Sequence, residues 1–296
     1  MHRIDGEDGS MTFKPTQSFV DSQRVRISYW DWGNETAPTL LLVHGGRDHA
    51  RSWDRIAEVM REDYHVVALD LRGHGDSAWT QGGNYGLPDN ALDIVRVIET
   101  VGSPARVVAH SYGGSCSLVA AGTYPEHFAA MVVLEGTHSL NPGEDERVGP
   151  AWVRRWADRL RSFETQEPRI YPDLEAAAER MKEANPRLPD DILAGLAGYA
   201  AKPVEGGHMW KFDLWVNGRT SMELRRSELP AFWEEIACPV LLLLGSDSHS
   251  RRRQHATPEE HLRDVRTVEI PGAGHWMHHD QREVVLREVR GFFGKG

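Results

Sequence analysis

The segment VVAHSYGGSCSLVAAGTYP (107–125) holds the residue best placed to do chemistry. An apolar run, Val107 to Ala109, reaches Ser111 and passes directly into a helix of small residues. A serine on a sharp strand-to-helix turn takes a positive φ and lifts its hydroxyl above the sheet. Its neighbours must be small where helix and strand nearly touch. Ala109, Gly113 and Gly114 meet that need. The helix N-terminus also turns backbone N–H groups and a positive dipole end toward an oxyanion forming there. A buried serine that merely opens a helix is the structural alternative. A neutral hydroxyl is a weak nucleophile and needs a base of near-neutral pKa, which histidine supplies; the chain has 15. A carboxylate must then fix the tautomer of that histidine and stabilise its imidazolium form.

Such groups need a rigid frame. Apolar runs are expected as strands at Arg24 to Trp30, Thr39 to Val43, His65 to Asp70, Arg106 to Ala109, Ala130 to Glu135, Pro239 to Gly245 and Arg266 to Ile270. LLLV (40–43) and VLLLLG (240–245) are continuously apolar, as in parallel strands covered on both faces. Helical pattern fills the gaps: Asn90 to Val101, through Leu92, Val95, Ile98 and Glu99 with Gly102 as a stop, and Gln281 to Phe293, through Val284, Val285, Val289 and Phe292. The alternation predicts an α/β fold with a mostly parallel sheet flanked by helices.

Between about 138 and 235 no strand is expected, and helices are expected over 151–163, 174–184 and 190–200. Five of the ten tryptophans fall here, Trp152, Trp156, Trp210, Trp215 and Trp233. The predicted organisation is a flexible tail (1–18), a core (19–137 and 236–296) and an inserted helical cap (138–235). The tryptophans suggest an aromatic, apolar pocket under that lid.

Composition narrows the function. In 296 residues, 40% are hydrophobic and 26% charged, which suits a globular protein. Acidic residues outnumber basic ones, 44 to 34, so the net charge of −10 speaks against a nucleic-acid partner. No run is long enough to cross a bilayer, and MHRIDGEDGSMTFKP lacks the apolar core of a signal peptide. Two cysteines, Cys116 and Cys238, make neither a disulfide framework nor a thiolate zinc site. A cytoplasmic protein without a membrane partner, as monomer or homodimer, is expected.

The Ser111 segment resembles the nucleophile elbow of the α/β-hydrolase family, with Ala109 where the family has the first glycine of G-x-S-x-G. LLVHGGRDHARSWD (41–54) is similar to its oxyanion loop, and VVALDLRGHGDS (66–77) to a structural D-x-R-G-x-G-x-S stretch that makes His74 a loop residue. IPGAGHWMHHD (270–280) places His275 in the family's G-x-G-H-W/F position. The resemblance runs from Val25 to Phe293 in chain order. It implies the α/β-hydrolase fold, Ser111 as nucleophile, His275 as base, and an oxyanion hole from the backbone N–H groups of Gly46 and Tyr112.

Two acids compete. Most members carry Asp three residues beyond a glycine after the strand corresponding to 239–245, and from Gly245 that position is Ser248, with Asp247 one residue early. Glu135 stands instead at the end of the preceding strand, in MVVLEGTHS (131–139), at a strand C-terminus where open α/β sheets place their sites. Glu135 is the preferred acid and Asp247 the alternative. His278 and His279 invite a metal reading, but no carboxylate or cysteine cluster accompanies them. HGGRDH (44–49) also lacks the first histidine of H-x-H-x-D-H, so neither metal nor cofactor is expected. Arg47 and Asp48 fit substrate contact or local pairing, and Arg251, Arg252 and Arg253 fit a solvated charge run.

Serine rather than aspartate at 111 sets aside haloalkane dehalogenase and epoxide hydrolase chemistry. The resemblance thus implies acyl transfer to water, first of all on an ester of small to medium hydrophobic groups. Lactonase or carbon–carbon bond hydrolase activity on the same residues, or a non-catalytic binder of small molecules, are the alternatives.

Overall fold

A computed structural model describes residues 13–136, 149–218, 220, 223–248 and 258–294. Residues 1–12 of the expected tail, the expected cap boundary at 138 and Arg251 to Arg253 lie outside them. The frame is one eight-stranded sheet of β1 (Thr16–Ser22), β2 (Val25–Asp31), β3 (Thr39–Val43), β4 (His65–Leu69), β5 (Ala105–His110), β6 (Phe128–Leu134), β9 (Val240–Gly245) and β10 (Val265–Ile270). Its order is β1-β2-β4-β3-β5-β6-β9-β10. β1, β2 and β4 pair antiparallel, and every pair from β4 to β10 is parallel.

The unbroken apolar strands are explained by the two layers they separate. Leu41, Val43, Val107, Ala109, Met131, Val133 and Leu242 face one core with α2 (Leu87–Val101) and α3 (Ser111–Thr123). Leu40, Leu42, Val108, Val132, Leu241 and Leu243 face the other, with α1 (Asp54–Met60) and α9 (Arg282–Phe292). Successive side chains point to opposite faces, so a strand buried on both sides is apolar at every position. On α2 the buried stripe runs through Ala91, Ile94, Val95, Val97 and Ile98, while Leu92, expected on it, is exposed.

Two expectations are corrected. The tail ends before Thr16, because residues 16–18 pair with β2. The turn joining these strands has Gln23 and Arg24 at φ 51° and 65°. Hairpin turns of this handedness ordinarily announce themselves with Asn or Gly, and neither is present. The stretch between β6 and β9 also holds strands, the antiparallel pair β7 (Ala201–Val204) and β8 (Gly207–Trp210). Each is four residues long and β7 contains Pro203, so neither makes a strand pattern. Around the pair lie α4 (Gly149–Glu164), α5 (Leu174–Ala184) and α6 (Asp190–Ala200), close to expectation. Trp233, counted with the aromatic insertion, lies instead on α7 (Leu229–Trp233) and packs into the core beside α3.

Buried polar residues tie the loops above the sheet. Asp70 accepts N–H bonds from Ala50 (2.7 Å) and Asp76 (3.0 Å), and the Arg72 guanidinium grips Asp93 of α2 at 2.6 and 2.7 Å. His74 is a loop residue, bonded through Nδ1 to the Arg72 carbonyl. His44 donates from Nδ1 to the Gly45 carbonyl (2.6 Å) and accepts the Leu71 N–H at Nε2 (2.9 Å). Protonating that imidazole would turn an acceptor into a second donor facing an N–H. Burial pushes His44 well below the ordinary histidine pKa and His74 down to about 4. Both are neutral in the folded chain at pH values where the unfolded chain is protonated. Stability is therefore full above about pH 6.5 and is lost as pH falls toward the folded values, with a slope of ~1.4 kcal/mol per pH unit for each histidine. Urea midpoints measured between pH 7.5 and 5 should fall accordingly; a flat profile would contradict this account.

Candidate active site

The order of the sheet dictates where a site can form. The chain runs from β3 outward to β4 and then returns across β3 to β5, so the crevice beyond the C-terminal ends of β3 and β5 is the switch point of an open α/β sheet. The Gly45–Gly46 loop leaves β3 there, and Ser111 leaves β5.

Ser111 has φ 51°, as expected for a raised hydroxyl. The small residues around it have contacts to match. A Cβ on Gly113 would lie 2.2 Å from the His44 carbonyl oxygen, and one on Gly114 would lie 2.8 Å from the Cα of Gly136. A Cβ on Gly45 would meet the Ser111 Cβ at 3.2 Å. The end of β3 with its Gly45–Gly46 loop, the turn at Ser111 and the end of β6 therefore interlock closely. Ser111 is only partly buried.

His275 follows β10 and arrives from 164 residues away, with Nε2 3.0 Å from Ser111 Oγ. Its Nδ1 faces Glu135 Oε2 at 3.8 Å, within ion-pair reach. The Glu135 side chain is only 1% exposed, so its charge needs donors. Gly245 N–H donates to Oε1 at 2.6 Å and the Ser248 hydroxyl to Oε2 at 3.0 Å. Ser248 is thus the partner of Glu135 at the position where the family pattern has its acid. Glu135 itself has φ 58°, a second left-handed residue at a strand end.

Asp247 lies elsewhere. Its side chain is half exposed and pairs with Arg187 at 2.8 Å, and that hydrogen bond holds its carboxyl below the usual range. Of the two acids, the structure brings Glu135 to His275.

Gly46 lies against the first turn of α3, where a Cβ on it would be 3.8 Å from the Tyr112 Cβ. The Tyr112 N–H belongs to the first turn of the helix, which lacks acceptors within its own helix. Arg47, the next residue, has φ 61°. A cavity of about 210 Å³ opens beside this loop, lined by Gly46, Leu196, Trp210, Phe212 and Trp276 among others. A smaller one of about 170 Å³ reaches His275 itself, past Leu188 and Trp276.

His110, ahead of the serine, was not anticipated from the residue pattern. Its Nε2 donates to the carbonyl of His275 at 2.8 Å, bracing the loop that carries the imidazole. No spacing rule points to a histidine there. Nor does spacing reveal that Asp48, 230 residues before His278, lies beside it. The ligand atoms of Asp48, His110 and His278 all lie within 4.8 Å of one another, giving these histidines a carboxylate companion that was not expected.

A serine at a strained elbow, an imidazole on its oxygen and a buried carboxylate behind define the layout of a serine hydrolase. The sequence profile described as the alpha/beta hydrolase family matches residues 40–288. The chain belongs to this family and is a hydrolase. It is 26% identical over 275 residues to 2-(acetamidomethylene)succinate hydrolase of Mesorhizobium japonicum, covering 92% of this chain and 93% of that one. It is 26% identical over 278 residues to esterase Rv0045c of Mycobacterium tuberculosis, covering 91% and 87%. The structure of a thioesterase domain from the curacin biosynthetic pathway superposes with a TM-score of 0.79 at 24% identity, covering 93% of this chain and 99% of that domain, a likeness of fold. No helix among the described residues is long and apolar enough to cross a membrane.

The interlock at the elbow makes a prediction. Gly113→Ala places a methyl group on the His44 carbonyl and should destabilise the fold by about 2 kcal/mol or more. Gly195→Ala, in open space on α6, should leave stability unchanged or raise it by up to ~1 kcal/mol. Thermal unfolding of both variants measures the contrast, and equal melting temperatures would refute the interlock.

Proposed function

We propose that the protein is a carboxylic ester hydrolase that works through an acyl-enzyme formed on Ser111. The observation that carries this reading is the 3.0 Å contact between Ser111 Oγ and His275 Nε2, with the buried Glu135 carboxylate on the far side of the ring. Ser111 attacks the ester carbonyl as His275 takes the hydroxyl proton. Glu135 holds the ring in the tautomer with its lone pair on Nε2 and stabilises the imidazolium that results. Backbone N–H groups of Gly46 and Tyr112 receive the oxyanion; losing one such donor in other enzymes costs about 3–4 kcal/mol. The tetrahedral intermediate collapses as His275 returns the proton to the leaving alcohol. Water, activated by the same imidazole, then releases the acid and restores Ser111.

The stretch α4 to α6 with the β7–β8 pair serves as the cap. Support comes from its contacts with the loops above the sheet: His49 with the Leu196 carbonyl, Arg187 with the Gly272 carbonyl, and Trp79 with the Lys211 carbonyl. Trp210 and Phe212 face the cavity beside Gly46, which suits a medium-sized apolar acyl or alcohol group. Esterase Rv0045c, similar over most of its length, favours ester over lactone as the first substrate class. Cys116 and Cys238, both buried and not joined in a disulfide, suit a reducing cytoplasm.

Hydrolysis of p-nitrophenyl acetate and butyrate tests the assignment. Ser111→Ala should lower kcat by at least ~1000-fold and abolish labelling by a serine-directed phosphonate, with the fold intact. Glu135→Gln should lower kcat by ~100-fold or more, whereas Asp247→Asn should stay within about threefold of wild type. A crippled Asp247 variant beside an active Glu135 variant would move the acid, and an active Ser111→Ala enzyme would end the acyl-enzyme reading.

A further inference from the structure

Against the His275 ring lies a layer of buried imidazoles that the proposed reaction does not use. His110 and His278 are each 1% exposed, with ring centroids 4.7 Å apart, and His110 is 4.8 Å from the His275 ring. The Trp53 indole stacks on His278 at 4.5 Å and holds its plane. Neither nitrogen of His278, nor Nδ1 of His110, has a hydrogen-bond partner among the described residues. Buried polar atoms ordinarily find partners, and three orphaned nitrogens in one place need a reason.

The arrangement has the marks of a ligand set. His110 donates its Nε2–H to a backbone carbonyl, which fixes the tautomer and leaves the Nδ1 lone pair directed elsewhere. Metal-binding histidines almost always have such a carbonyl or carboxylate on the second nitrogen. Asp48 completes the group, its own oxygens steadied by the His49 N–H at 2.8 Å and the Ser52 hydroxyl at 3.1 Å. Being partly exposed on the cavity wall, Asp48 also supplies a route in.

We infer that Asp48, His110 and His278 form a binding site for a divalent transition ion of the Zn²⁺ class, and that its occupancy turns the hydrolytic site off. Two imidazoles and a carboxylate suit Zn²⁺, Cu²⁺ or Ni²⁺ and disfavour Mg²⁺ and Ca²⁺, which prefer oxygen alone. Bonds of about 2.1 Å bring tetrahedral ligand atoms to ~3.4 Å from one another. Closing the present spacing of up to 4.8 Å therefore draws His110 toward the ion. His110 precedes Ser111 in the chain and holds the carbonyl of His275, so that movement pulls on both partners of the 3.0 Å contact. The ion also sets a double positive charge near an imidazole that must become positive in turnover. Inhibition rests on the esterase reading above; binding does not.

Calorimetric titration of ZnCl₂ into the full chain reads the site independently of turnover, with Co²⁺ absorption as a second signal and MgCl₂ as a control. The expected result is one Zn²⁺ per chain and no heat from Mg²⁺, with His278→Gln and Asp48→Asn each weakening Zn²⁺ binding at least ~10-fold. Zn²⁺ at saturation should suppress p-nitrophenyl butyrate hydrolysis by wild type, and EDTA should restore it. His278→Gln should keep metal-free activity and resist the same Zn²⁺ concentration. The inference is overturned if wild type takes up no Zn²⁺, or if both variants bind it and are inhibited as wild type is. Should His278→Gln fail to fold, Asp48→Asn at its partly exposed position decides the matter alone. Uptake of Zn²⁺ by a chain without esterase activity would keep the site and sink the reading under "Proposed function".

Discussion

Everything at this site depends on a steric constraint: the backbone at Ser111 is left-handed, and the helix that follows is pressed against the end of β3 with no space for a side chain. A non-glycine residue at positive φ costs of order 1–3 kcal/mol and persists only where the surroundings over-determine it. Here the surroundings are backbone on backbone, Gly113 on the His44 carbonyl and Gly114 on Gly136. The strain raises the hydroxyl out of the sheet while the helix start and the Gly45–Gly46 loop converge on the same point. The raised serine and the close approach of the Gly45–Gly46 loop to the helix start are thus one packing solution rather than two.

The neighbouring strand repeats the device. β5 leads directly into Ser111 and β6, hydrogen-bonded to it, directly into Glu135, both residues with φ between 50° and 60°. Two side chains are thrown up from adjacent strand ends, and the loop bearing His275 descends between them. The carboxylate is satisfied by groups at the end of β9, the Gly245 N–H and the Ser248 hydroxyl. A buried carboxylate without such donors would be expelled or neutralised. Ser248 therefore complements Glu135. A carboxylate at 248 would set a second negative charge 3 Å or so from the first, which low-dielectric surroundings do not tolerate.

Much of this could be read from residue pattern because it is local. Aliphatic and β-branched runs marked the parallel strands to within two residues, and the small residues around Ser111 marked the turn whose φ the structure records as 51°. What escaped depends on contacts or on unusual local conformation. The β1–β2 turn uses Gln23 and Arg24 at positive φ without the residues that signal it, and β7 carries a proline. Leu92 matches helical spacing on α2 but falls outside the stripe that meets the sheet. Residue pattern gives Glu135 no more than a preference over Asp247, because a shift of one residue in a turn redirects a side chain. The approach of Glu135 to His275 and the pairing of Asp247 with Arg187 distinguish them. The bond from His110 to His275 and the approach of Asp48 to His278 had no local signal, since each joins residues more than 160 positions apart.

The layer of buried histidines beside His275 bears on the energetics of the proposed reaction. Forming an imidazolium at His275 is favoured by Glu135 and opposed by any cation nearby. Were His110 protonated, with its ring 4.8 Å away, the repulsion at an effective dielectric of about 20 would be ~3 kcal/mol. That is comparable to the contribution of one oxyanion-hole donor. Burial prevents it by keeping His110 and His278 uncharged, so the charge at His275 sees one strong partner of opposite sign. Apolar residues would be neutral as well, but they could not hold the His275 carbonyl as His110 does. A neutral imidazole gives the loop a hydrogen bond without adding charge, and the lone pair left over on its other nitrogen is the feature that makes the layer receptive to a metal ion.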